Sequence, residues 1–259
     1  ARRMYEAELH RAFERREFDV FYQPQMRLAD DRLVSAEALI RWRHPVRGLL
    51  APSAFLPALD ASVLADPVGT WVLETACEQA LAWRRHIPEF SVSVNLFAAQ
   101  LRTGSLPHVV LGVLERCGLP PEALELEITE NIMLAEQGEV LRQLQALREM
   151  GIKLSFDDFG TGYASLNLLR DFPVTHIKID KSFTKVLQSS PKDQAIVESL
   201  VDLAQRLGLG VIVEGIEKAW DRSFVGRLGC EKGQGYYFGR PVPPALFQEQ
   251  FLAPTVATA

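Results

Sequence analysis

The chain has 259 residues, 47% of them hydrophobic, and a formal net charge of −5. That length is close to the ~250 residues of a (β/α)8 barrel, and the apolar content is ample for one core. Lys and Arg are scattered without a basic run, which argues against a nucleic-acid polymer as partner but leaves one small phosphate ligand open.

Three cysteines, Cys77, Cys117 and Cys230, lie far apart in the chain and form no C-x-x-C pair. Neither a disulfide framework nor a zinc knuckle is indicated, and a reducing, cytoplasmic setting is expected. No apolar run approaches ~18 residues, so no contact with a membrane is expected of this segment. The first residue is not Met and no signal-peptide pattern follows it. The sequence therefore reads as a piece of a longer multidomain protein, an expectation that includes the cytosolic domain of a membrane-anchored one. Residues 1–252 read as one domain and 253–259 as a flexible tail.

Residues 2–16 have the pattern of an amphipathic helix. Residues 18–24 and 32–40 read as two strands of a hairpin across Asp30 and Asp31. Pro52 opens a helix to about Asp60, and 67–86 form another, on which Trp71 and Trp83 are core. A rhythm follows of strand 91–96, helix 105–117, strand 124–129, helix 139–150, strand 152–157, short helix 165–170, strand 174–179 and helix 192–207. Gly118, Gly151 and Gly208 stand just past helix ends, where glycine accepts a left-handed conformation cheaply. Ile196, Leu200, Leu203 and Leu207 form the stripe expected to cover the sheet. Strand 210–214, helix 217–227, a short strand near 235–238 and a helix from Pro244 complete the chain. Repeated β-then-α units imply a parallel sheet. The fold class read from them is α/β, a closed (β/α)8 TIM-like barrel, with an open doubly wound sheet as the second choice.

Four strands carry polar residues on one face. Val92, Val94 and Leu96 oppose Ser91, Ser93 and Asn95; Leu124, Leu126 and Ile128 oppose Glu125, Glu127 and Thr129; Ile152, Leu154 and Phe156 oppose Lys153, Ser155 and Asp157; Thr175, Ile177 and Ile179 oppose Val174, His176 and Lys178. Parallel strands are usually apolar on both faces. Here the apolar faces are expected to meet the helices and the polar faces to point inward, where charge is costly unless paired or metal-bound. The last polar residues before the loops are Asn95, Glu127, Asp157 and Lys178, joined by Glu214 and Glu37. Catalytic groups of barrel enzymes gather at those strand ends.

Asp157 and Asp158 are adjacent, and neighbours on a strand point to opposite faces. They share a site only if the strand stops and a loop turns Asp158 back, aided by Gly160 and Gly162. Such a pair is either a solvated turn or a divalent-metal site, since two close carboxylates repel without a cation between them. The carboxylates and one amide suit Mg2+ or Mn2+ better than Zn2+. So many carboxylates fit two ions, an arrangement that serves in-line phosphoryl displacement, with Lys178 orienting a water or meeting developing charge.

At this level of detail the sequence resembles the EAL domains, bacterial cyclic di-GMP phosphodiesterases. Glu37-Ala38-Leu39 resembles the signature, and Tyr22-Gln23-Pro24, Arg41 to Pro45, Val94-Asn95-Leu96 and Glu127 to Glu130 follow. Asp157 to Tyr163, Lys178-Ile179-Asp180, Glu214 to Glu217 and Gln234-Gly235-Tyr236 complete the match, over about residues 2–250. The resemblance implies a barrel variant with one early antiparallel strand and hydrolysis of cyclic di-GMP to linear 5′-pGpG. It implies Glu37, Asn95, Glu127, Asp157, Asp158 and Glu214 as ligands of two Mg2+ or Mn2+ ions, with Lys178, Glu214 and Glu37 catalytic. Gln23, Leu39, Arg41, Asp158 and Gln234 would line the substrate. Glu130 would anchor the Asp158–Ser165 loop, which includes Gly160, Thr161 and Gly162, with Glu217 in support. A homodimer and an upstream sensor or GGDEF-type domain are implied partners.

Ser35 replaces a frequent glycine, and Phe97 a serine near Asn95, where it is expected to crowd the pocket. The alternative reading is an EAL-like receptor that holds cyclic di-GMP with little or no cleavage. A dinucleotide-binding enzyme would use Gly160 and Gly162 after a strand, but the third glycine is missing and two aspartates would face the pyrophosphate. A metal-free glycosidase would leave Lys178 and Asn95 without a task.

Overall fold

The computed structural model describes residues 2–130, 132, 137–160 and 166–252. Among the described residues the strands are β1 Phe18–Arg27, β2 Arg32–His44, β3 Gly48–Leu50, β4 Ser91–Asn95 and β5 Leu124–Ile128. They continue as β6 Lys153–Phe159, β7 His176–Ile179, β8 Gly210–Val213 and β9 Lys232–Gln234. Their order is β1-β9-β8-β7-β6-β5-β4-β2-β3, and β1 also pairs with β2. Eight strands therefore close a ring, and β3 hangs outside it on β2. β1 runs antiparallel to both of its neighbours, and the other pairings around the ring are parallel. The expected barrel with one early antiparallel strand is the fold observed. The expected tail, 253–259, lies outside the described residues.

The outward faces of the strands form the core with the helices. Ala36, Ala38, Ile40 and Trp42 of β2 are buried in alternation with Ser35 and Glu37, which point inward. Helix Ala65–Trp83 packs Trp83 edge-on to Tyr22 of β1, with ring centroids 4.8 Å apart, and stacks it on Phe247 of helix Pro244–Phe247 at 4.4 Å. Tyr22 also exchanges backbone hydrogen bonds with Val242, at 2.8 and 3.0 Å. The antiparallel strand, which lacks a preceding βα unit, is thus held by an aromatic cluster and the C-terminal segment. Trp71, by contrast, is only partly buried.

Three sequence expectations need correction. Helix Pro191–Arg206 buries Val197, Val201 and Ala204, whereas Ile196 and Leu207 are exposed, at 43% and 49%. The small and β-branched row seats the helix closely, and Leu200 and Leu203 flank it. The strand expected near 235–238 lies three residues earlier, because Gly235 presses its backbone on Ile216 and leaves Tyr236 and Tyr237 exposed. The helix expected from Pro52 breaks into a 3₁₀ turn, Pro52–Ala54, and a helix, Leu56–Asp60.

Candidate active site

The inward polar faces meet on Lys178 of β7. Its Nζ lies 2.7 Å from Glu127 Oε2 of β5, 2.7 Å from Glu214 Oε1 just past β8, 3.0 Å from Asp157 Oδ1 of β6 and 3.7 Å from Glu37 Oε1 of β2. The lysine is fully buried. Burial works against its charge, but Asp157, Glu127, Glu214 and Glu37 outweigh it and hold the pKa well above the usual lysine range. Its four acidic neighbours favour the charged form of the side chain.

The carboxylates answer unequally. Burial and the charges of Glu37 and Asp157 drive Glu127 well above the usual range, against the pull of Lys178. Burial also pushes Glu214 up to about 7, Lys178 opposing and Asp157 adding to the rise. Glu37 ends below its ordinary value: burial opposes its charge, yet Lys178 and the hydrogen bonds from Gln234 and Asn95 prevail.

Asp158 joins through a bulge rather than through the end of a strand. β6 pairs Phe156 with Ile177 and next Phe159 with Ile179, so one extra residue is accommodated at Asp157–Asp158. Asp158 takes φ +53°, a left-handed conformation that aspartate adopts more readily than most side chains. Bulges of this kind re-aim side chains beside active sites. Oxygens of Asp157, Asp158 and Glu214 all lie within 4.8 Å of one another. Burial and the neighbouring Asp157 push Asp158 up to about 6.

This donor set fits a divalent cation. Among the described residues, Glu127 Oε1 and Asp157 Oδ1 are buried acceptors without a hydrogen bond; Lys178 is 3.0 Å from the latter, but the alignment is not that of a hydrogen bond. Asn95 donates its amide to Glu37 Oε1 at 2.8 Å, so its carbonyl oxygen is not used in that bond. With all five carboxylates ionised against one ammonium, the formal excess would be four negative charges, which two divalent ions would balance; without ions, Glu127, Glu214 and Asp158 relieve it by the raised pKa values above.

The residues expected to line a substrate surround the same ring. Gln234 donates to Glu37 Oε2 and to Gln23 Oε1, and Gln23 donates to the Gly239 carbonyl at 3.1 Å. Leu39 and Arg41 follow Glu37 on the inward face of β2, and both are half-buried. Arg41 lies over Phe21, 5.5 Å from its centroid, and donates to the Ile40 carbonyl.

Other expected residues stand apart. Glu217 is exposed, and Glu130 is half-buried. Thr161 and Gly162, with the rest of 161–165, lie outside the described residues, so the anchoring expected of Glu130 finds no test there. Phe97 does not crowd the pocket: it is 8% exposed, and a Cβ added to Gly69 would lie 2.8 Å from its ring. Gly69 makes room for it on helix Ala65–Trp83.

A family model for the EAL domain matches residues 6–241. The chain belongs to the EAL domain family. It is 39% identical over 246 residues to the cyclic di-GMP phosphodiesterase NbdA of Pseudomonas aeruginosa, covering 94% of this chain and 31% of that protein. It is 38% identical over 248 residues to the bifunctional diguanylate cyclase/cyclic di-GMP phosphodiesterase MucR of the same organism, covering 95% and 36%. Among solved structures, the PaMucR phosphodiesterase in complex with c-di-GMP superimposes with a TM-score of 0.89 at 37% identity, covering 94% of this chain and 99% of that one. This EAL domain spans about a third of the length of the curated relatives it matches.

Sequence reasoning missed several groups that shape the site. Gln25 is wholly buried, donates to Gln234 Oε1 at 2.9 Å and accepts from the Ser35 hydroxyl at 2.7 Å. Lys232 donates to Glu125 Oε2 at 2.9 Å across the barrel interior. The alternation along β1 contained the first of these. A lone lysine beside a glycine in a three-residue strand gave no signal for the second.

Proposed function

We propose that this EAL domain hydrolyses one phosphodiester of cyclic di-GMP to linear 5′-pGpG, using two Mg2+ or Mn2+ ions. The observation that carries the reading is the buried ammonium of Lys178 ringed by Glu37, Glu127, Asp157 and Glu214 beside Asp158, an all-oxygen acidic cluster that suits divalent cations. Glu37, Asn95, Glu127, Asp157, Asp158 and Glu214 would hold the ions, and bound there the ions would lower the pKa of a water and screen phosphate charge.

The chain's own groups divide the remaining work. Lys178 supplies a fixed positive charge that orients the attacking water and meets charge developing on phosphorus. Glu214, 2.7 Å from Lys178 and within 4.8 Å of Asp157 and Asp158, would serve beside the attacking water as well as toward the ions. Gln234 and Asn95 hold Glu37 in one orientation. Gln23, Leu39, Arg41 and Gln234 border the space left for the nucleotide, and Arg41 offers a cation to its second phosphate. The names of NbdA and MucR and the bound nucleotide of the PaMucR structure support the choice of substrate. A homodimer, an upstream sensor or GGDEF-type domain and a cytoplasmic location are part of the same proposal.

The test is incubation of cyclic di-GMP with the chain and Mg2+, Mn2+ or EDTA, with chromatography for products. Formation of pGpG with metal and none with EDTA is expected. Tight nucleotide binding without product under every condition would overturn hydrolysis in favour of a receptor.

A further inference from the structure

Between β7 and helix Pro191–Arg206 lies a single helical turn, Lys181–Thr184. Asp180 caps it by accepting from the Ser182 N–H at 2.8 Å. This turn touches both arms of the acidic cluster. On one side the Thr184 hydroxyl, 1% exposed, approaches the backbone carbonyl of Glu214 at 2.7 Å. The same hydroxyl lies 3.0 Å from the Lys181 carbonyl, so its single proton has the shorter path to Glu214. Gly215, at φ +68°, sits so close that an added Cβ would fall 2.5 Å from Lys181 Cβ and 2.6 Å from Thr184 Oγ1. On the other side, Phe183 lies under Gly160: a Cβ there would be 2.9 Å from Phe183 Cε2. Gly160 stands two residues beyond Asp158, whose left-handed conformation aims its carboxylate beside Asp157.

We propose that the turn Lys181–Thr184 acts as a spacer that sets the gap between the Asp157–Asp158 bulge and Glu214, with Phe183 and Thr184 as positioning residues for the cation those carboxylates hold. The inference rests on the reading of Asp157, Asp158 and Glu214 as cation ligands. Its physical basis is that each arm departs from the regular strand ladder at its carboxylate. Glu214 is the first residue past β8, anchored to β7 through its N–H to the Ile179 carbonyl at 3.0 Å. Asp158 sits in a bulge where the ladder is interrupted. Both glycines have shed a side chain where the turn presses against them, so the backbone on each side rests directly on Lys181, Phe183 and Thr184. A cation that needs oxygens from both arms is sensitive to shifts of a few tenths of an ångström. Partners that orient ligands typically account for ~10–100-fold in metal affinity.

Calorimetric titration of the metal-stripped chain with Mn2+ tests this, with unfolding temperature in EDTA recorded for each variant. Thr184→Val keeps the shape and loses the donor; Thr184→Ser keeps the donor; Phe183→Ala removes the support under Gly160; Asp157→Asn removes a ligand. Expected are an approximately tenfold weaker Mn2+ affinity for Thr184→Val and for Phe183→Ala, near-wild-type affinity for Thr184→Ser, and loss of binding for Asp157→Asn. The drop for Thr184→Val should appear without a comparable fall in metal-free unfolding temperature, which a merely structural role would produce. Wild-type affinity in both Thr184→Val and Phe183→Ala, with Asp157→Asn still defective, overturns the spacer and leaves the site reading intact. Equal Mn2+ binding by wild type and Asp157→Asn overturns the site reading and the spacer with it.

Discussion

Two charged layers lie one above the other inside this barrel, on the same strands two residues apart. In the lower one, Glu125 of β5 meets Lys232 of β9 at 2.9 Å and accepts from the Ser155 hydroxyl of β6, while His176 of β7 lies 3.3 Å from Glu231. In the upper one, Glu127, Asp157, Glu37 and Glu214 crowd a single Lys178. Burial is nearly complete for Glu125 and Glu127, at 1% exposure each. Yet their pKa values part. Burial opposes charge on Glu125, but Lys232, His176 and Ser155 hold it down to about 2. Burial and the neighbouring acids drive Glu127 up. Matched charge makes a girder; unmatched charge makes a candidate cation site.

The largest effects should come from the unmatched layer. Asp157→Asn removes a carboxylate shared by the Lys178 ring and the Asp158–Glu214 cluster. Turnover of cyclic di-GMP is expected to fall by at least ~10³-fold, with the fold intact by circular dichroism. A variant that keeps wild-type turnover would sink the assignment of Asp157 as a ligand.

The matched layer should instead report in stability. Lys232→Met strands the Glu125 charge in the interior and is expected to cost ~3–5 kcal/mol in urea unfolding. The double variant Glu125→Leu with Lys232→Met removes the whole pair and should recover most of that loss, since apolar replacement of a buried pair is often neutral. If the single and double variants are equally unstable, the girder reading fails.

The pH dependence should have opposite signs for Glu214 and Asp158 on one side and Glu125 on the other. Glu214 is raised from 4.5 to about 7 and Asp158 from 3.8 to about 6. Their stabilising contributions are therefore present at low pH and are lost as pH rises through those folded values. Glu125 is lowered from 4.5 to about 2, so its contribution is present above 4.5 and is lost as pH falls toward about 2. For the metal-free protein, urea midpoints should decline from pH 4.5 toward pH 7, and Glu214→Gln should flatten that decline. Addition of Mn2+ near pH 7 should raise the midpoint in wild type and much less in the variant. A midpoint that rises steadily to pH 7 without metal would contradict the direction assigned to Glu214.

Much of the upper layer was legible from alternation alone, because Asn95, Glu127, Asp157 and Lys178 each lie on the polar face of an alternating strand near its end. The sequence did not show that Asp158 enters through a bulge, since the extra residue is defined only by pairing with β7. Nor did it show which row of helix Pro191–Arg206 faces the sheet, because two apolar rows run side by side and only close packing chooses Val197, Val201 and Ala204. The lower layer was half legible: Glu125 was visible as an inward carboxylate, but its partner is 107 residues away on a strand too short to have a period.

Ser35 reaches the upper layer through two amides and should give the smallest effect. Its hydroxyl donates to Gln25 Oε1, which obliges the Gln25 amide to donate to Gln234 Oε1, which in turn obliges the Gln234 amide to face Glu37 and Gln23. Ser35 thus fixes the orientation of two amides in series. Ser35→Ala leaves Gln25 free to flip and is expected to cost ~1 kcal/mol of stability, the net worth of one hydrogen bond. Gln25→Met strands the Gln234 carbonyl as well and should cost ~1–3 kcal/mol. The two losses should not add, because both act on one chain of hydrogen bonds. Strict additivity in the double variant would mean that the hydroxyl and the amides act separately, and that the orientation of Gln234 toward Glu37 is set by the carboxylate alone.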